Sequence, residues 1–150
     1  MLKIDDVTYD YHNEYFHFDA TISCGDIVAL MGPSGAGKST LLALMAGFVE
    51  PRKGQILVEG TNVVGTEPSQ RPFAMLFQEH NLFAHLSVRQ NIALGLEPSL
   101  KLSAQQQQKI DKAAQQVGID QYLDRLPEQL SGGQRQRVAL ARCFVQPHKV

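Results

Sequence analysis

At 150 residues, with 43% apolar and 19% charged side chains, the chain has the composition of one folded domain, which excludes a disordered polymer. A formal net charge of −1 carries no electrostatic footprint for nucleic acid or acidic lipid. Met1 to His12 lacks the basic region and apolar core of a signal peptide, and the longest apolar run, Leu41 to Val49, is too short to span a bilayer.

Leu2 to Val7 alternates and reads as a strand. Tyr15 to Ile22 reads as a second, with Phe16, Phe18 and Ala20 set against His17 and Asp19. His12-Asn13-Glu14 lies between them as a hairpin connection, so the first residues predict a small antiparallel sheet. Tyr11 sits at its edge, where it can stack on a base or simply pack, and plain packing is the commoner role for such a ring.

Ile27 to Met31 is a short continuous apolar run, the pattern of a strand buried on both faces of a parallel sheet. Gly32-Pro33-Ser34-Gly35-Ala36-Gly37-Lys38-Ser39-Thr40 follows and fits G-x-x-x-x-G-K-[ST] from Gly32 to Ser39. Leu41 to Ala46 is then a compact apolar helix, stopped by Gly47. Nucleotide phosphates carry dense negative charge, and a helix start offers unpaired N–H groups with partial positive charge. Gly32, Gly35 and Gly37 let the backbone approach closely enough for successive N–H groups to wrap phosphate oxygens. Lys38 then reaches the β- and γ-phosphates, and the Ser39 hydroxyl is placed to ligate Mg²⁺.

Beyond Gly47, Glu50 to Gly54 reads as a turn and Gln55 to Val58 as a strand ended by Glu59-Gly60, with a polar loop from Gly65 to Pro72. Phe73 to Phe77 is a second fully apolar run and a candidate core strand. Gln78 at its end either faces phosphate, metal or attacking water, or is a loop glutamine bonding backbone. A short helix is expected near Val88 to Ala93. The next begins at Ser103, with Gln106 completing a capping box, buries Ile110, Ala113, Ala114 and Val117, and ends at Gly118. The last helix, Gln134 to Val145, opens on Leu130-Ser131-Gly132-Gly133-Gln134. Ser131 and Gln134 again fit a capping box, and Val138, Ala141, Phe144 and Val145 supply an apolar face. Its glycine-rich mouth can hold an anion, although a capped helix with a flexible entry is the favoured reading of those residues alone. The five histidines include no i, i+4 pair, so no protein metal site is expected from them. Cys24 and Cys143, far apart and in no metal spacing, read as structural thiols.

The phosphate loop followed by Leu130-Ser131-Gly132-Gly133-Gln134-Arg135-Gln136-Arg137 resembles the ATP-binding cassette (ABC) transporter ATPases, and the resemblance covers the whole chain. Within that family the likeness is greatest to thiamine importer ATPases, carried by Arg71 to Phe83, Gln90 to Leu96 and Leu100-Lys101-Leu102. The resemblance implies an α/β P-loop NTPase fold of ABC type, with an antiparallel β side sheet and a helical subdomain. The expected divisions are 1–26 for the antiparallel part, 27–80 for the P-loop core and Q-loop, 81–135 for the helical subdomain with the signature, and 136–150 for the return to the core.

It makes Tyr11 the base-stacking aromatic and Gln78 the Q-loop glutamine, with Ser39 and Gln78 holding Mg²⁺. Gly32, Pro33, Ser34, Gly35, Ala36, Gly37, Lys38, Ser39 and Thr40 bind ATP, as do Ser131, Gly132, Gly133 and Gln134 from a second copy. The implied partners are that second copy, an integral membrane permease docking near Gln78 to Leu86 and, indirectly, a periplasmic thiamine-binding protein, with no nucleic acid. The implied location is the cytoplasmic face of the inner membrane. In the family an apolar strand ending in Asp-Glu follows the signature helix; here Gln146 to Val150 stands where that strand begins, so the chain is expected to be truncated and weak or inactive alone. The alternatives are an ABC ATPase outside transport and a non-catalytic nucleotide-binding fragment.

Overall fold

The computed structural model describes residues 1–77, 81–147 and 150, which fall into two units, Met1–Phe73 with Val150, and Ala74–Lys149. The first unit holds a four-stranded sheet of β1 (Leu2–Tyr11), β2 (Glu14–Ile22), β3 (Lys53–Val58) and β4 (Thr61–Asn62), all pairings antiparallel, in the order β2-β1-β3-β4. β1 and β2 form the expected hairpin. Its two turn residues, His12 and Asn13, have φ of 46° and 65°, which matches the right-handed strand twist. Pairing runs from Leu2 opposite Ile22 to Tyr11 opposite Glu14, broken by a bulge at Asp6. That bulge is tied to β2, where His17 Nε2 donates to Asp6 Oδ1 at 2.7 Å and the Asp6 amide donates to Asp19 Oδ2 at 3.3 Å.

Alternation places Leu2, Ile4 and Val7 of β1 beside Ile56 and Val58 of β3 on one face, where they bury Leu41 and Leu44 of helix α1 (Lys38–Ala46). The helix stops as predicted: Gly47 takes the left-handed conformation at φ 81°. Its last carbonyls meet a partner that reading by periodicity did not find. Arg71, only 1% exposed, donates through Nη1 to the Leu44 carbonyl at 2.8 Å and the Met45 carbonyl at 3.3 Å. Its Nε donates to the Thr66 carbonyl at 3.0 Å, and Nη2 pairs with Glu50 at 2.5 Å. A fixed cation at a helix C-terminus satisfies orphan carbonyls and opposes the negative end of the dipole.

The second unit packs helices α2 (Val88–Ala93), α3 (Ala104–Gln116) and α4 (Gly132–Val145) around Val88, Ile92, Ile110, Ala114, Ile119, Leu130 and Val138. Each helix opens on a complete serine–glutamine capping box, Ser87 with Gln90, Ser103 with Gln106, and Ser131 with Gln134. Fully buried Asn91 shapes the loop before α2. Its Oδ1 accepts from the Phe83 amide at 2.8 Å, while Nδ2 donates to the carbonyls of Phe83, Leu86 and Ser87 at 2.9–3.1 Å. Every polar group of that amide is satisfied, so the loop is tied down from inside.

Four sequence expectations need correction. Ile27 to Met31 joins no sheet; Ile27 and Met31 are 101% and 91% exposed. Phe73 to Phe77 likewise forms no strand, although Phe73 is buried. An apolar run becomes a strand only when neighbouring backbone supplies ladder partners, and among the described residues every ladder is antiparallel and in the first unit. Cys24 is exposed rather than structural, and Phe144 on α4 is 54% exposed while Val138, Ala141 and Val145 are buried.

Replacing Arg71 by Ala removes the donors that serve the Leu44, Met45 and Thr66 carbonyls and Glu50 and is expected to cost about 2–4 kcal/mol, read from urea unfolding; Arg71→Lys recovers only part, because a point charge cannot serve four acceptors. Burial pushes the Cys143 thiol pKa up against the opposing charge of Arg142, so less of it is thiolate at a given pH. Iodoacetamide near neutral pH should therefore modify Cys24 well before Cys143, and mass spectrometry of the peptides gives the order.

Candidate phosphate-binding site

Among the described residues, helix α1 alone of four α-helices has no side-chain cap at its start. Gly37 stands at the N-cap with φ 82°, and the first bond of the helix is Leu41 N–H to the Gly37 carbonyl at 2.8 Å. The N–H groups of the first turn, Lys38 to Thr40, precede any intrahelical acceptor and stay at the mouth of the helix. Ahead of them the loop folds on itself, the Ala36 amide bonding the Pro33 carbonyl at 3.3 Å, and Gly35 takes φ 83°. A chain of amides with alternating left-handed residues at a helix start is the geometry that holds anions.

Lys38 is arranged by the same loop. Its Nζ donates to the Gly32 carbonyl and to the Pro33 carbonyl, both at 2.7 Å. An ammonium has three protons, so one donor remains, and the charge is held over the loop rather than swinging in solvent. The recess in front of it is about 310 Å³, lined by Ser34, Gly35, Gly37, Lys38, Ser39 and Thr40 from the loop and by Tyr11, Glu14 and Phe16 from the hairpin. Tyr11, which local sequence left between packing and stacking and the family resemblance made the base-stacking aromatic, shares one recess with the phosphate loop. Gly32, Pro33 and Ala36 shape the loop without lining the recess.

The hairpin contributes a residue that sequence reasoning did not assign. Phe16 and Phe18 stack in parallel, ring centroids 6.3 Å apart, beneath Gly37. A Cβ at Gly37 would lie 2.7 Å from Phe16 Cδ1 and 3.1 Å from Phe18 Cζ, so the loop can rest on these rings only as glycine. Alternation in β2 puts both rings on one face; nothing local says that the face supports the loop.

The α4 start lies in the second unit. Ser131 Oγ accepts from the Gln134 amide at 3.3 Å and Gln134 Oε1 accepts from the Ser131 amide at 2.8 Å, as the capping box predicts. Gly132 and Gly133 are exposed with nothing within 4 Å of an added Cβ, and their amides precede any intrahelical acceptor. The mouth is therefore capped on one side and open on the other. Gln78 lies outside the described residues.

A recess of bare amides and one lysine with an aromatic ring at its edge belongs to the nucleotide-binding P-loop class. The family model for the ABC transporter matches residues 15–150, and the chain belongs to that family. Over all 150 residues it is 69% identical to the thiamine import ATP-binding protein ThiQ of Vibrio cholerae, of which it spans 63%. Among solved structures it is similar to the ATP-binding cassette MJ0796 in a dimeric post-hydrolysis state bound to ADP and Pi, at TM-score 0.80 and 27% identity over 99% of this chain and 71% of that one. It is similar also to cbiO1 from Clostridium perfringens, part of the ABC transporter complex cbiONQ, at TM-score 0.84 and 28% identity over 99% and 62%. The fold is that of an ABC-type P-loop ATPase, with the antiparallel side sheet in the first unit and the helical part in the second.

The two loop glycines separate backbone strain from steric contact. Gly37→Ala combines a left-handed φ with the Phe16 clash and should destabilise by about 2 kcal/mol or more, while Gly35→Ala, with open space around it, should cost about 1 kcal/mol. Urea midpoints of the two variants compare them directly.

Proposed function

We propose that the whole protein is the ATP-binding and ATP-hydrolysing subunit of an importer for thiamine, peripheral on the cytoplasmic face of the inner membrane. The observation that carries this is the identity with a thiamine import ATP-binding protein along the full length of the chain, joined to a recess built for phosphate. No helix among the described residues is long and apolar enough to cross a membrane, so in this reading the path for solute is supplied by a permease.

The chain's own groups carry the chemistry as follows. The amides of Gly35 to Thr40 hold the phosphates, Lys38 exchanges its loop carbonyls for phosphate oxygens, and Tyr11 stacks on the base. The exposed Ser39 hydroxyl, on the first turn of α1 and on the recess wall, is a hard oxygen suited to Mg²⁺, which keeps few protein ligands beside phosphate and water. With Gln78 it would hold that ion, whose charge neutralises the phosphates. Phosphoryl transfer needs mainly positioning and charge neutralisation, and these residues supply the first part of both.

Ser131, Gly132, Gly133 and Gln134 meet the nucleotide bound by a second copy. Binding free energy that exists only with both faces engaged favours the closed pair, and this couples nucleotide to motion. The permease docks near Gln78 to Leu86, a stretch in which Asn91 bonds the Phe83 and Leu86 carbonyls. A periplasmic thiamine-binding protein acts only through the permease.

In the full-length protein, Lys38→Ala removes a charge-assisted phosphate contact and should weaken ATP binding roughly ten- to hundredfold, measured by calorimetry. In liposomes carrying the permease and the binding protein, thiamine should raise ATP hydrolysis. Unchanged ATP affinity in Lys38→Ala contradicts the phosphate-site assignment, and hydrolysis indifferent to thiamine but responsive to another solute contradicts the substrate.

A further inference from the structure

We infer that His12 is a positioning residue for the nucleobase: it fixes the ring plane of Tyr11, the stacking platform, and thereby sets affinity for the base without touching the phosphates. This rests on the reading of the recess as a nucleotide site.

Tyr11 is the last residue of β1, paired with Glu14, and more than half of its surface is exposed. An exposed tyrosine normally samples several rotamers, and stacking a base on it then costs ordering entropy. Here the His12 ring lies 4.2 Å from the Tyr11 ring, centroid to centroid, at an interplanar angle of 78°. Perpendicular packing is a favoured arrangement of aromatic quadrupoles. The contact exists because of the turn. His12 has φ 46°, a left-handed conformation, which sends its side chain back beside the residue before it. Arg52 adds a second restraint, pairing with Asp10 while its amide donates to the Thr8 carbonyl at 2.8 Å, so the end of β1 is held from the β3 side. Tyr11 consequently forms a wall between two recesses. One contains the phosphate loop, and the other is a space of about 330 Å³ with His12, Asp10 and Arg52 in its lining. The ring shares a recess with the phosphate loop, and its orientation is set from the hairpin tip.

The test uses the full-length protein and two probes, ATP and inorganic tripolyphosphate, which has the phosphates but no base. His12→Asn is the informative variant, since asparagine tolerates the left-handed turn position while the ring is lost. Calorimetry should show ATP binding weakened about three- to tenfold and tripolyphosphate binding unchanged. In a Tyr11→Ala background, His12→Asn should have no further effect on ATP, because there is no ring left to orient. Equal weakening of both probes would mean damage to the loop and overturn the proposal. So would unchanged ATP affinity in His12→Asn alongside a loss in Tyr11→Ala, a result that leaves the nucleotide site itself standing. If Tyr11→Ala does not weaken ATP either, the stacking role falls and the positioning role with it. Failure of the unaltered protein to bind tripolyphosphate would instead sink the phosphate site.

Discussion

The arrangement of the first unit depends on a helix start left without a cap. Every other α-helix among the described residues closes its first turn with a serine and a glutamine, which removes two orphan amides from solvent. α1 has glycine there, and its amides stay bare. A bare helix mouth is unfavourable in an apo protein and favourable only in the presence of an anion, so the surroundings must hold the loop in place. Phe16 and Phe18 do this from below, at a distance that only glycine permits, and the Lys38 ammonium does it from above through the carbonyls of Gly32 and Pro33.

The opposite end of the same helix has the complementary chemistry. Arg71 is buried with its donors on the carbonyls of Leu44, Met45 and Thr66 and on the carboxylate of Glu50. A buried guanidinium is tolerated because each of its three nitrogens is hydrogen-bonded and because the helix dipole is negative there. One helix is therefore terminated by a cation at its C-terminal end and open to an anion at its N-terminal end, and its position is fixed at the end away from the ligand. Asn91 plays an equivalent part in the second unit, replacing missing regular structure in the 83–87 loop with side-chain amide bonds.

The α4 mouth shows how the same elements serve a different purpose. The capping box satisfies the amides of Ser131 and Gln134 and holds the helix register, while Gly132 and Gly133 face open space. A half-capped start is stable by itself and still has donors to offer. α1 has no such internal substitute.

Much of this was legible in the residues because it is local. Hairpin turns need left-handed φ at His12-Asn13, helices begin where Ser precedes Gln by three, and a glycine-rich loop opens α1 without a side-chain cap, all within a few residues of chain. The sheet order, the support of Gly37 by Phe16 and the Arg71 clamp were not legible, and the meeting of Tyr11 with the phosphate loop was expected only from the family resemblance. Each joins positions separated by tens of residues through burial, and periodicity reports which face is apolar, not what it meets. The apolar runs at 27–31 and 73–77 make the same point from the other side. Sequence determined that they are fit to be strands; tertiary structure decided that they are not, because a strand exists only where another backbone completes its hydrogen bonds.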